Sequence, residues 1–155
     1  MMKKIVRLVC FILSLTFLVG CTTNNEYVFN LSTDDSVKIT METPNDYVLS
    51  KTGDSDFSIS YKNKSVLPDD SDAVVYGSFI SSESVSMYTS LAENQSNNYE
   101  EVKVGCNDCV IYTFDDEVDC IIPINNSNHG VLIGSKLDDF SSLYDVIGKL
   151  KITVE

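Results

Sequence analysis

The stretch CVIYTFDDEVDCIIPI, residues 109–124, places three consecutive acids between two apolar segments rich in β-branched residues. Apolar segments of this length favour β-strands, and a short polar insertion between two of them favours a hairpin. We therefore predict a strand over Cys109–Phe114, an acidic turn at Asp115-Asp116-Glu117, and a second strand over Val118–Ile124. Antiparallel pairing of neighbouring segments is the expected basis of the fold.

Further strands are predicted on both sides of this hairpin, because apolar and polar residues alternate there or β-branched residues accumulate. A turn at Pro44-Asn45-Asp46 and polar loops over Lys51–Asp56 and Lys62–Asp72 separate some of them. From the amino terminus, the predicted strands are Tyr27–Leu31 at an edge, Val37–Met41, Tyr47–Leu49, Phe57–Tyr61, Ala73–Ile80, Val102–Val104, Gly130–Ile133 and Leu150–Val154.

Two segments have helical periodicity instead. Ser81-Ser82 provides an N-cap for a helix that ends near Asn97-Asn98. Asp138 or Asp139 caps a second helix, which Gly148 is placed to end. The residues at helical spacing are Val85, Tyr88, Leu91, Ala92 and Gln95 in the first helix, and Phe140, Leu143, Tyr144 and Ile147 in the second.

Strands clearly outnumber helices, and no internal repeat is visible in the sequence. This balance favours a single α+β domain over residues 27–155, in which an antiparallel sheet of about six strands is covered by two helices. The element order, with a Pro-Asn-Asp-Tyr segment at 44–47, a middle helix, a β meander and a short helix before the last strand, resembles the PsbP-like fold group over most of residues 37–155. That group includes small exported bacterial lipoproteins. The resemblance implies a fold and no catalytic residue, and a cystatin-like arrangement fits the pattern nearly as well.

The amino-terminal segment has the three parts of an export signal. Met1–Arg7 is cationic, Leu8–Val19 is mostly apolar, and a small residue, Gly20, precedes Cys21. The apolar part is too short for a permanent transmembrane helix, which needs about 20 residues. We therefore predict a signal helix over residues 1–20 that is removed, rather than an uncleaved anchor.

Leu18-Val19-Gly20-Cys21 resembles the lipobox of bacterial lipoprotein precursors. The resemblance implies cleavage before Cys21 and attachment of diacylglycerol to its sulfur, with an acyl chain such as palmitate on the new amino terminus. Two or more chains anchor a protein stably, whereas one chain binds reversibly. We expect a cell-membrane lipoprotein that faces away from the cytoplasm on a polar tether over residues 21–26. An ordinary secretory signal is the alternative.

The charge of the exported part is strongly negative. Its eight lysines and no arginine stand against all 23 acids of the chain, which gives about −15. Such a surface repels phosphate backbones and lacks the bidentate reader of bases, so nucleic-acid binding is not expected. The acids serve either as a solvated exterior or as an attraction for cations or a basic partner.

Three cysteines remain in the exported part, an odd number that leaves at least one thiol unpaired within the chain. A disulfide between Cys109 and Cys120 is one possibility, since the hairpin folds their strands together. A Cys106–Cys109 ring is another, and it would be strained and reducible. Thioredoxin-type chemistry is not expected from Cys106-x-x-Cys109, because β-like residues flank the motif and no helix begins there.

A zinc site formed by Cys106, Cys109, Cys120 and His129 is permitted by the spacing, although the spacing is not diagnostic. His129 is the only histidine and lies in a polar loop, where we expect it to be exposed at a turn. No Gly-x-Ser-x-Gly elbow accompanies it, and no acidic cluster matches the twelve-residue calcium loop. We therefore expect a non-enzymatic binding or interaction module without a cofactor. The alternative is a thiol-redox or zinc-binding module built on those four residues.

Overall fold

A computed structural model describes residues 25–42, 47–61, 73–137 and 139–155. The predicted signal, Cys21, the turn at Pro44-Asn45-Asp46, the loop Lys62–Asp72 and the cap candidate Asp138 lie outside these ranges. Within them the chain forms ten strands and two helices, and every strand pairing is antiparallel. The predicted α+β class is confirmed.

The strands form two sheets, one of three strands and one of seven. We predicted a single sheet of about six strands, so that prediction is wrong in the number of sheets and of strands. The smaller sheet has the order β1-β2-β10 and the larger one the order β3-β4-β5-β9-β8-β7-β6. The small sheet contains β1 (Asn25–Ser32), β2 (Asp35–Met41) and β10 (Leu150–Val154). The large sheet contains β3 (Tyr47–Lys51), β4 (Asp56–Tyr61), β5 (Ala73–Ser81), β6 (Asn98–Val104), β7 (Asn107–Phe114), β8 (Glu117–Pro123) and β9 (His129–Ser135).

Most strand predictions are confirmed, with shifted ends. β1 begins two residues before the predicted strand, so it takes over the last part of the predicted tether. β6 begins at Asn98, where we had predicted the end of a helix, and β9 is a seven-residue interior strand rather than a short one. The hairpin turn consists of Asp115 and Asp116, both with positive φ. Glu117 already belongs to β8.

The small sheet supplies much of the cover that we had assigned to helices. Along β2 every second residue is buried, and the buried positions join the core of the large sheet. Alternation in a sequence predicts one buried face but does not say which layer lies against it. The buried side chains that the small sheet contributes are Phe29, Val37, Ile39, Met41 and Leu150.

Helix α1 (Ser82–Gln95) packs on the opposite, outer face of the large sheet. Ser81 caps it as predicted, with its hydroxyl accepting a hydrogen bond from the amide of Ser84 at 3.2 Å. Ala92 is its one fully buried residue, whereas Leu91 is 41% exposed although we predicted it on the apolar face. The helix therefore covers only part of that face.

Helix α2 (Phe140–Ile147) lies on the inner side and adds Leu143, Val146 and Ile147 to the main core. Asp139 caps it, and Gly148 ends it with right-handed backbone angles. None of the helices in the described ranges is both long enough and apolar enough to span a bilayer.

Candidate functional site

Two groups of polar contacts fix the small sheet on the large one. We call the first the Asp35 clasp, formed by Asp35 with Ser127, Asn128 and His129. We call the second the Asn107 latch, formed by the side chain of Asn107 with two main-chain carbonyls. Most of the polar groups in the Asp35 clasp and in the Asn107 latch lie at the ends of strands or helices, where the main-chain hydrogen bonds between strands stop.

Asp35 is the first residue of β2 and is only 6% exposed. Its Oδ2 accepts hydrogen bonds from Ser127 Oγ at 2.7 Å and from the Asn128 amide at 3.0 Å. His129 Nδ1 lies 2.7 Å from the same oxygen and donates to it, since a carboxylate only accepts. These donors, His129 foremost, lower the pKa of Asp35. The other oxygen, Oδ1, is buried without a hydrogen-bond partner among the described residues.

His129 begins β9 opposite Ser81, the last residue of β5. Its side chain is 20% exposed, so it is not the exposed loop residue that the sequence suggested. A buried carboxylate on Nδ1 also orients the histidine of acid–base catalysts. However, no serine or cysteine side chain in the described ranges hydrogen-bonds the imidazole, and a nucleophile adjacent to the base is what such catalysis requires. The arrangement supports a structural clasp.

The three cysteines occupy two different environments. Cys109 and Cys120 are buried in the main core, where the Cys109 thiol donates to the main-chain oxygen of Asn107 at 3.6 Å. The neighbouring Cys120 thiol lowers the pKa of Cys109, and burial raises the pKa of Cys120 well above its ordinary value. Cys106 is exposed in the turn between β6 and β7, with its sulfur 3.6 Å from the carbonyl oxygen of Leu150.

The structure does not bring His129 to these cysteines. It lies two strands across and two residues along from Cys109, which is about 12 Å by ordinary strand spacing. Throughout the described ranges, no three histidine, cysteine or acidic side chains are grouped so that they could hold a metal ion. The four residues of the predicted zinc alternative therefore do not form one site here.

A crevice opens between β10 and the neighbouring ends of β7 and β8. We call it the β10 crevice; its volume is about 120 Å³. Asn107 and Asp108 stand at one side. The apolar residues that line it are Ile122, Pro123, Ile124, Ile152 and Val154.

An open groove of about 350 Å³ adjoins the β10 crevice on the outer face of the large sheet. The two share Asp108 and Pro123, and Glu101 and Lys103 lie along the groove. The sequence did not point to this place, because its residues come from three segments that are far apart in the chain. Asp35 was missed for the same reason: nothing in the sequence distinguishes it from the exposed Asp34 beside it.

The Asn107 latch closes one end of the crevice. Asn107 is 5% exposed, and its amide nitrogen donates to the carbonyl oxygens of Leu150 at 2.9 Å and Ile147 at 3.3 Å.

Comparisons with protein-family models, with curated proteins and with solved structures each find no match to the chain.

Proposed function

We propose that this protein is an extracytoplasmic lipoprotein, held on the cell membrane by lipid on Cys21, whose domain is a non-enzymatic binding module. The observation that carries the proposal is the lipobox Leu18-Val19-Gly20-Cys21 behind a cationic and apolar leader. The start of β1 supports it, because the first strand that the structure describes begins at Asn25, four positions after the residue that would carry the lipid.

The short connection has a geometric consequence for the anchored protein. Only Thr22, Thr23 and Asn24 separate Cys21 from β1. Even fully extended, three residues span about 10 Å. The Asn25 end of the small sheet would therefore stay close to the headgroups, and the hairpin at Asp35, at the far end of β1 and β2, would point away from that attachment.

The positions of the reactive side chains support a binding role. Cys109 is only 4% exposed and Cys120 is fully buried, whereas an attacking thiolate must be accessible. The only histidine is held by Asp35, and no serine or cysteine side chain in the described ranges hydrogen-bonds its ring. What the surface does offer is a crevice next to an unpaired strand edge, which suits binding.

The anchor is tested by replacing Cys21 with Ala, with Cys10→Ala in the leader as the matched control. We expect the wild type and Cys10→Ala to incorporate a labelled fatty acid and to fractionate with membranes. Cys21→Ala should lose the label completely and accumulate as an unprocessed precursor or be released, because it has no sulfur for the thioether. Equal labelling of Cys21→Ala and wild type, measured by gel fluorography and intact mass, would overturn the anchor.

A further inference from the structure

The free edge of β10 has main-chain groups that no other strand of the described ranges uses. In antiparallel strands, residues alternate between pointing both main-chain groups toward a neighbour and pointing both away from it. The amide of Glu155 donates to the carbonyl oxygen of Ser36 on β2, so the main-chain groups of Glu155 point toward that strand. By the same alternation, the main-chain groups of Lys151 and Thr153 point toward β2. Those of Leu150, Ile152 and Val154 point away from it.

The carbonyl of Leu150 confirms this parity, because it accepts from the Asn107 latch on the outer side. Ile152 and Val154 both line the β10 crevice. In the part of the chain that the structure describes, no hydrogen bond reaches their outward main-chain groups. Two N–H donors and two C=O acceptors therefore have no partner among the described residues, in a crevice that Pro123, Ile124 and Asn125 also line.

We propose that the β10 crevice binds an extended, basic polypeptide segment, which pairs with β10 as an added strand. The inference rests on the proposed binding function and names the class of partner. An added strand takes its affinity from main-chain hydrogen bonds and its specificity from side chains that enter neighbouring pockets. Here the side chains on one face of the segment would lie against Pro123 and Ile124.

Two of the other edge strands, β1 and β6, are less suited to this role. On β1, the carbonyl of Val28 already accepts a hydrogen bond from Lys51 Nζ at 3.1 Å. On β6, the exposed charges of Glu100, Glu101 and Lys103 follow the edge closely, and charged edges resist strand pairing. Beside the free edge of β10, Asp108 is the one charged residue that lines the crevice.

Charge selects a basic partner over a second copy of this chain. Asp108 is the one charged residue lining the crevice; its carboxylate is 65% exposed and lies 3.6 Å from Lys103 Nζ, so a basic segment would compete with that lysine for it. The exported part as a whole carries about −15. Two such surfaces repel each other, whereas lysines or arginines on an incoming segment are attracted to it.

The length of the bound segment is limited by the latch. Asn107 occupies the Leu150 carbonyl and so closes the crevice beyond Ile152. The segment can then exchange hydrogen bonds with Ile152 and Val154 only, which corresponds to a short strand of about four residues at ordinary strand spacing. We therefore expect modest affinity, and a strong dependence on each main-chain bond.

The test uses the mature protein, cleaved before Cys21, in detergent. The probe is a fluorescently labelled seven-residue peptide in which lysine and valine alternate. Val154→Pro removes one outward N–H and leaves the pairing of β10 with β2 intact, as proline on an edge strand can. Val154→Ala is the matched control, because it keeps that N–H and removes only side-chain contact. We expect Val154→Pro to weaken peptide binding at least tenfold and Val154→Ala to weaken it less than threefold, by fluorescence anisotropy.

Two further probes separate strand pairing from simple attraction between charges. A peptide N-methylated at alternate residues has the same charge and should bind at least tenfold more weakly than the unmodified peptide. Hydrogen exchange should slow at the amides of Ile152 and Val154 when the unmodified peptide is present. Thermal denaturation checks that both variants are folded.

Equal binding of the two peptides, equal loss in the two Val154 variants, or protection along β6 instead of β10 would each overturn the proposal. So would concentration-dependent dimers of the protein that protect the same two amides without any peptide. These readouts do not depend on the lipid. A failed anchor is recognised by fractionation of Cys21→Ala, and a failed crevice by the peptide measurements, whether or not the protein carries lipid.

Discussion

The Asp35 clasp and the Asn107 latch hold the same two sheets together, but with different chemistry. In the clasp a buried carboxylate accepts from three donors, one of which is an imidazole. In the latch a neutral amide donates to two main-chain carbonyls. The difference teaches that the attachment of the small sheet depends on protonation at one place and not at the other.

The two contacts also differ in how completely they satisfy their buried atoms. The latch uses an amide nitrogen with two donors on two carbonyls. The clasp concentrates all its donors on one oxygen of Asp35 and leaves the other buried without a partner in the described ranges. The clasp therefore combines strong charge-assisted bonds with an uncompensated cost of desolvation.

The largest effect is expected from Asp35→Ala. It removes the acceptor of three donors in a buried place, and we expect the free energy of unfolding to fall by about 3 kcal/mol. Asp34→Ala, at the exposed neighbouring position, should change it by less than about 0.5 kcal/mol. Urea denaturation at neutral pH measures both. If the two variants lose equal stability, the clasp does not hold the sheets together.

A somewhat smaller loss is expected from Asn107→Ala, about 2 kcal/mol, because two buried carbonyls lose their donor. The exposed Asn97 provides the control, and Asn97→Ala should be nearly neutral. The loss in Asn107→Ala should be the same at pH 7 and near pH 3, since no ionisable group takes part. A loss that varied with pH would show that the latch is coupled to the clasp.

The smallest effect is the pH dependence of the clasp itself. The pKa of Asp35 is lowered in the folded state, so its stabilising contribution is fully present above the unfolded value of 3.8. That contribution is lost as pH falls through the lower pKa of the folded state. The stability difference between wild type and Asp35→Asn should therefore narrow below about pH 4. A stability difference between wild type and Asp35→Asn that stayed constant down to pH 2 would contradict the lowered pKa of Asp35 in the folded state.

Local patterns in the sequence predicted the elements well. The Ser81 cap, the Asp139 cap and the acidic hairpin turn are each defined by a few neighbouring residues, and each is confirmed. The division into two sheets could not be predicted in this way. β10 pairs with β2 although more than a hundred residues separate them, and nothing in the alternation of Leu150–Val154 specifies that partner.

The candidate site was out of reach of sequence reasoning for a related reason. Asp35 and His129 are 94 positions apart, and the β10 crevice combines β7, β8 and β10. The lipidation of Cys21 and the resemblance to the PsbP-like group remain predictions.

For Leu91, helical spacing was a poor guide, because a helix that covers only part of a sheet leaves some apolar positions in solvent.

The thin attachment of α1 has a consequence for the order in which the molecule opens. Ala92 is its only fully buried residue, whereas α2 inserts Leu143, Val146 and Ile147 into the main core. Segments with few buried apolar contacts detach locally at a free energy well below that of global unfolding. The outer helix should thus fray and exchange its amide protons while the two sheets stay intact, which makes it the most pliable layer of an otherwise β-built protein.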